Sequence, residues 1–426
     1  MSNNQLTKSD EVKYVPKLRF TEFSNPWRIS NLSKISEKPL YGMNSASKEF
    51  DGENKYLRIT DIDESTRLFD TTKLTSPDGE LNDKYLLSQD DLLFARTGAS
   101  VGKSYLYNIN DGKVFFAGFL IKFKIKEIVI PQFIFYQTLT SSYSTWVKKT
   151  SARSGQPGIN AEEYSSLEIL LTSKQEQQKI VDCLSSLDEL IQNESSKLEA
   201  YKQHKDGLLQ QLFPKNGESL PSLRFDAFSE EWENIELSKI AKPVKKKNTD
   251  QDKILVLSLS NEYGLVSQID YFQKKIAGDN TDKYIVLQKN DFVYNDRITK
   301  NSTYGTIKRL SLYEEGIVSP IYKCFRFEKN QNPVFWEYFF ESKSHENEIR
   351  QIINEGARAG RYNISTDNFL SINVMLPSYL EQEKIASCLT SLDETITSQN
   401  NYIEGLKEHK KGLMQQLFPV FEDVSA

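Results

Sequence analysis

The chain has 426 residues, 38% of them hydrophobic and 27% charged, enough for two or three domains with real cores; its formal net charge of −5 excludes polyanion binding through bulk charge but leaves room for a local basic face. Three cysteines without paired spacing exclude a disulfide framework. The N-terminus has no apolar signal core and the longest apolar run, residues 114–121, is far too short to span a bilayer, so a cytoplasmic location is expected.

In chain order, residues 1–15 read as a flexible tail and 16–172 as a first body. The body opens on Pro16-Lys17-Leu18-Arg19-Phe20, followed by Phe23 and Trp27. Runs rich in aromatic and β-branched residues, such as 91–95 and 114–125, predict strands, and a proline-led amphipathic helix is expected over 131–148. Residues 173–214 predict one long helix, opened by a capping box at Ser173 and Glu176 and stopped by Pro214. Its apolar positions Ile180, Leu184, Leu187, Ile191, Leu198, Tyr201, Leu208 and Leu212 alternate in threes and fours, which is a coiled-coil seam.

The same order then returns at an offset of 205, from Ser173 to Ser378. Pro221, Leu223, Arg224, Phe225, Phe228 and Trp232 repeat the lead-in, and residues 215–377 form a second body with strands over 254–259, 291–294 and 317–327 and a helix over 333–353. A second long helix, 378–419, carries the seam Ile385, Leu389, Leu392, Ile396, Ile403, Leu406, Leu413 and Leu417, and 420–426 read as a tail. Polar residues interrupt both seams at matching points, Glu194 with Gln399 and Lys205 with Lys410. At 1.5 Å per residue each helix would run roughly 60 Å. The expected fold is α+β: two pseudo-repeated, mixed, strand-rich domains separated by two long helices that pair as an antiparallel coiled coil.

Catalytic readings fail on spacing. Residues 98–104 end in Gly-Lys-Ser, but three residues separate Gly98 from Gly102 where a phosphate loop needs four, and the second half has no counterpart. Pro77-Asp78 and Glu341-Ser342-Lys343 supply the letters of a nuclease motif from different halves of the chain. No methyltransferase motif is present, and a serine triad is unsupported by three histidines of which His204 and His409 lie on the rods; no metal site is expected. Binding remains. Arg96, Thr97, Ser100 and Lys103, with Arg297, Thr299, Lys300, Thr303 and Tyr304, mix basic, hydroxyl and small residues suited to phosphate. Arg153, Ser154 and Gln156, with Arg358, Arg361 and Asn363, place base-reading side chains beside Gly155 and Gly360.

Taken together, the lead-in, the variable body, Glu176-Gln177-x-Lys179-Ile180, Leu187-Asp188-Glu189 and the ending Gly207-Leu208-Leu209-Gln210-Gln211-Leu212-Phe213-Pro214, all repeated, resemble the DNA-specificity subunit of Type I restriction-modification enzymes. The resemblance implies a non-catalytic subunit whose two target-recognition domains each read one half of a bipartite site on double-stranded DNA, with the helix pair as a ruler. It also implies partners: methyltransferase subunits, normally two, and a restriction motor-nuclease subunit. S-adenosylmethionine, ATP and magnesium would belong to those partners. Because the bodies differ extensively, an asymmetric site is expected. The competing reading is a structural adaptor whose twin domains bind proteins.

Overall fold

The computed structural model describes residues 14–215, 217–273, 280–300, 302–353 and 361–420. The expected tails lie outside the described residues apart from Tyr14, Val15 and Val420; Tyr14 accepts a backbone hydrogen bond from Trp27. The chain divides into two compact units, one running to Glu194 and resumed from Tyr402, the other formed by Ser195–Asn401.

Each unit is built on the same sheet. In the first, the antiparallel order is Leu40–Tyr41, Leu120–Lys124, Asp91–Ala95, Ser104–Leu106; in the second it is Ala241–Pro243, Lys323–Phe327, Phe292–Asn295, Thr306–Arg309. The central strand is buried on both faces, so it reads as an unbroken apolar run rather than an alternating one. An aspartate precedes its apolar stretch in both copies and is fully buried: Asp91 lies 3.2 Å from Lys122, and Asp291 takes a 2.8 Å bond from Arg326. Below the sheet Phe94 stacks on Tyr164 at 4.7 Å, and Tyr294 on Phe369 at 4.5 Å. The repeat thus keeps the ring pair while exchanging which ring carries the hydroxyl.

A two-stranded ribbon closes each unit, Arg28–Asn31 with Glu168–Leu171 and Glu233–Glu236 with Asn373–Leu376. Next to it start the two long helices, Lys174–Gln211 and Tyr379–Leu417. In the first unit Ile180, Val181 and Leu184 share a core with Met414, Leu417 and Phe418; in the second Leu209, Leu212 and Phe213 share one with Ile385, Ala386 and Leu389. Within each unit the two helical segments therefore run antiparallel. The polar seam positions have a definite role. Lys410 pairs with Asp188 and lies 5.1 Å over the Tyr136 ring, while Lys205 pairs with Asp393 and Glu341 and lies 5.3 Å over Tyr338. Each tyrosine hydroxyl donates to the same aspartate, at 2.8 and 2.7 Å.

Three expectations need correction. The helices expected over 131–148 and 333–353 are each two, Pro131–Gln137 with Ser141–Ser151 and Pro333–Glu341 with Glu346–Ile352. Hydroxyls break them: Thr138 and Thr140 donate to the carbonyls of Phe135 and Gln137, and Ser342 to that of Phe339, so side chains compete with the helical ladder. The runs 114–125 and 317–327 are likewise two strands each, Val114–Phe116 with Leu120–Lys124 and Glu315–Val318 with Lys323–Phe327, split by a tight turn. Finally, the capping boxes are half present. Ser173 and Ser378 cap the amides of Glu176 and Glu381, but the glutamate side chains point elsewhere.

Those carboxylates, each 1% exposed, anchor the lead-in segments. Arg19 donates to both oxygens of Glu176 at 2.8 Å, and Arg224 to both of Glu381 at 2.7 and 2.8 Å, a bidentate geometry suited to a desolvated pair. The next residue completes the joint. Gln177 accepts from the amide of Ile130 and Gln382 from that of Asn332, at 3.0 and 2.9 Å, so each glutamine ties the long helix to the proline-led helix of its own unit.

Candidate nucleic-acid interface

In both units the central strand delivers its C-terminal end to the loops singled out from sequence. In the first, the Arg96 amide donates to Phe119 at 3.0 Å and its carbonyl accepts from Ile159 at 2.9 Å, while the Gly98 amide donates to Pro157 at 3.0 Å. Segments 96–100 and 153–159 are therefore neighbours. The Arg96 guanidinium stacks 5.1 Å over the ring of Tyr41. Thr97 and Ser100 lie at either end of the single turn Gly98–Ser100, and Ser154 and Gln156 are exposed. Gly98 has φ +71°, a left-handed backbone conformation that favours glycine, and the Gln156 side chain lies over it.

Two of the candidate cations of the first unit are committed within the protein. Lys103 is 8% exposed; its ammonium donates to the Ile62 carbonyl at 3.0 Å and lies 2.8 Å from Glu64. The Gly-Lys-Ser stretch is thus an inward-facing turn, which gives a structural reason for it not to be a phosphate loop. Arg153 folds back onto the carbonyls of Thr150 and Ala152 and onto the Glu163 carboxylate.

In the second unit the strand runs directly into Asp296. This buried carboxylate accepts from Lys323 at 2.7 Å, Arg361 at 3.0 Å and the Ile364 amide at 3.1 Å. Burial alone would raise its pKa, but Lys323 and Arg361 outweigh burial and hold it below the ordinary carboxylate value. Arg361 also donates to the Asn295 side chain at 2.6 Å and is bridged through its backbone to Arg297, so it clasps the two loops together. Arg297, Thr299, Lys300 and Thr303 are exposed, Asn363 is exposed at φ +55°, and Tyr304 is partly exposed beside Tyr362, 6.4 Å between rings. Arg358 lies outside the described residues. The lysine run 245–247 is exposed but ordered: the Lys246 carbonyl accepts from Val286 at 2.8 Å.

Sequence reasoning missed the aromatic residues around these loops. The hairpin formed by Leu257–Ser260 and Gly264–Ser267 leans on the Arg297 loop, where Asn261 donates to Thr299 at 3.4 Å. Beside its tip Tyr263, Tyr271 and Phe272 are 57%, 46% and 42% exposed and pack edge to face. In the first unit Tyr41 and Phe119 are 38% and 55% exposed. The available signals were Gly118 and Pro320, each set inside a strand-like run where neither fits a central strand. Among the described residues no group of His, Cys, Asp and Glu could hold a metal ion, and no helix is long and apolar enough to cross a membrane.

Comparison with known proteins agrees with the internal repeat. The family of the Type I restriction modification DNA specificity domain matches twice, over residues 25–202 and 229–408. The chain is 22% identical over 351 residues to the Type I restriction enzyme MjaVIII specificity subunit of Methanocaldococcus jannaschii, covering 79% of this chain and 80% of that one. In fold it is similar to the crystallised Type I restriction-modification S subunit from M. genitalium, with a TM-score of 0.56 at 16% identity over 95% of this chain and 99% of that one. It is also similar to a chain from a structural study of complex assembly and conformational transition of the type I system, with a TM-score of 0.54 at 14% identity over 92% and 97%.

Proposed function

The chain belongs to the Type I restriction-modification DNA specificity family, and from that premise we propose that it is a non-catalytic subunit reading an asymmetric, bipartite site on double-stranded DNA. The observation that carries the reading is the repeated placement of two diverged loops at the same end of an equivalent sheet. The shared residues, such as Arg19 with Glu176 and Arg224 with Glu381, hold each unit together. The differing residues sit at the loops, and unlike loops read unlike half-sites.

In this reading Arg96, Arg297 and Lys300 hold phosphates, with Thr97, Ser100, Thr299 and Thr303 beside them. Ser154, Gln156, Tyr304 and Asn363 face base edges, asparagine and glutamine being matched to adenine. Lys103, Arg153 and Arg361 act from behind by fixing loop shape. The paired long helices set the distance between half-sites. Two adenine methyltransferase subunits dock on the chain and a motor-nuclease subunit joins for cleavage; S-adenosylmethionine, ATP and magnesium reside on those partners.

The test is to co-express the chain with its methyltransferase and sequence the modified bases. A reproducible two-part adenine-methylation motif with unlike halves is the expected result. A stable complex that modifies no defined motif would overturn the reading and favour a protein-binding adaptor.

A further inference from the structure

The turns that split residues 114–125 and 317–327 are equivalent. In the first the Leu120 amide donates to Ala117 at 2.9 Å; in the second the Tyr322 amide donates to Ser319 at 3.1 Å. Their sequences have nothing in common, Ala-Gly-Phe-Leu against Ser-Pro-Ile-Tyr. Yet the third position of each is a bulky apolar residue turned to solvent, Phe119 at 55% and Ile321 at 45% exposure. One exposed apolar residue needs no explanation. The same exposed position, filled by an apolar side chain in both halves after all else in the turn has changed, does.

Both turns are fastened to the candidate DNA loops. Phe119 accepts from the Arg96 amide, and Arg96 stacks on Tyr41. Ile321 accepts from Lys323 at 3.3 Å, and that ammonium also holds Asp296, on which Arg361 closes. The first turn is rigid as well. A Cβ on Gly42 would fall 2.2 Å from the Ala117 carbonyl oxygen, and the Gly118 amide donates to Met43 at 2.7 Å. A fixed apolar tip beside phosphate-binding side chains is the arrangement by which proteins prise open a base step.

We propose that Phe119 and Ile321 are DNA wedges, each inserting partly between adjacent base pairs of the half-site beneath its own unit. The inference rests on the DNA-reading function above and adds a second source of specificity: pyrimidine–purine steps open more readily, so each wedge selects a step that no hydrogen bond reads. Phenylalanine stacks on the opened bases; isoleucine only fills the gap.

The experiment uses the full chain with its methyltransferase on a duplex carrying the mapped methylation motif, with the fluorescent base aminopurine placed at one step at a time. The expected result is a fluorescence rise at one step in each half-site. Phe119→Ala abolishes it in one half only and weakens binding on the order of tenfold; Ile321→Ala does the same in the other half, and Phe119→Trp restores the first. Ile109→Ala serves as control, being 70% exposed in the loop at the opposite end of the central strand. The wedge is overturned if both alanine variants bind the motif like the parent, or if no step changes fluorescence. It is equally overturned if Phe119→Ala releases the methyltransferase. Absence of any methylation motif in the parent complex would instead defeat the DNA-reading function itself.

Discussion

At the scale of single residues, the buried glutamates decide more than their place in the sequence suggests. Glu381 is desolvated and its charge is answered by Arg224 alone among the described side chains, so removing either partner strands a buried charge. Breaking such a pair typically costs about 3–5 kcal/mol. Arg224→Ala is therefore expected to lower the urea midpoint of the second unit by that equivalent, while Lys384→Ala, an exposed position on the same helix, changes it little. Sequence comparison marked both Arg224 and Glu381 as repeat-invariant, yet it assigned the glutamate to a capping box, because a local motif was visible and a partner 157 residues away was not. Arg297 poses the opposite case. It is exposed, so if it holds a phosphate, Arg297→Ala weakens every DNA sequence alike and lowers the salt slope by about 1. Binding measured across salt concentrations on cognate and scrambled duplexes checks this; a loss confined to one sequence would show that Arg297 reads a base instead.

At the scale of elements, the Lys–Asp–Tyr joints explain why a coiled-coil seam tolerates a lysine. Burial disfavours the Lys205 charge, but Glu341 and Asp393 outweigh it and the net pKa is raised above the ordinary 10.5. A raised lysine contributes stability that is complete below the unfolded pKa and is lost as pH climbs through the folded one, so the joint holds at neutral pH and fails only in alkali above about 10.5. Lys205→Met leaves Asp393 and Glu341 facing each other, both 39% exposed and so partly screened; a loss of about 1–3 kcal/mol is expected in thermal unfolding at pH 7 and a smaller one above pH 11. The periodicity of residues 180–212 was enough to read the long helix, since about nine turns of regular spacing leave little ambiguity. The breaks at Thr138 and Lys343 were not legible, because hydroxyl competition leaves no periodic trace, and the turns at Phe119 and Ile321 left no sign beyond Gly118 and Pro320.

At the scale of the molecule, the repeat of 205 residues was readable and the partition into units was not. Each unit combines one body with the first half of its own long helix and the second half of the other. If the helix pair is the ruler, inserting seven residues at matching points of both helices, near Ser195 and Asn400, lengthens it by roughly 10 Å. The expected outcome is a methylation motif with unchanged half-sites and a longer unread spacer of about three base pairs. Altered half-sites with an unchanged spacer would contradict the ruler.

The division of the first unit has a consequence for biosynthesis. Its core includes Met414, Leu417 and Phe418, so the body that leaves the ribosome first cannot close until after the body that leaves second, whose residues end at Asn401. The nascent protein must carry an unfinished hydrophobic surface through the translation of more than two hundred residues. A chain stopped after Asn401 should yield to protease in residues 16–172 while residues 215–377 stay protected, and adding back a peptide spanning 402–420 should restore resistance.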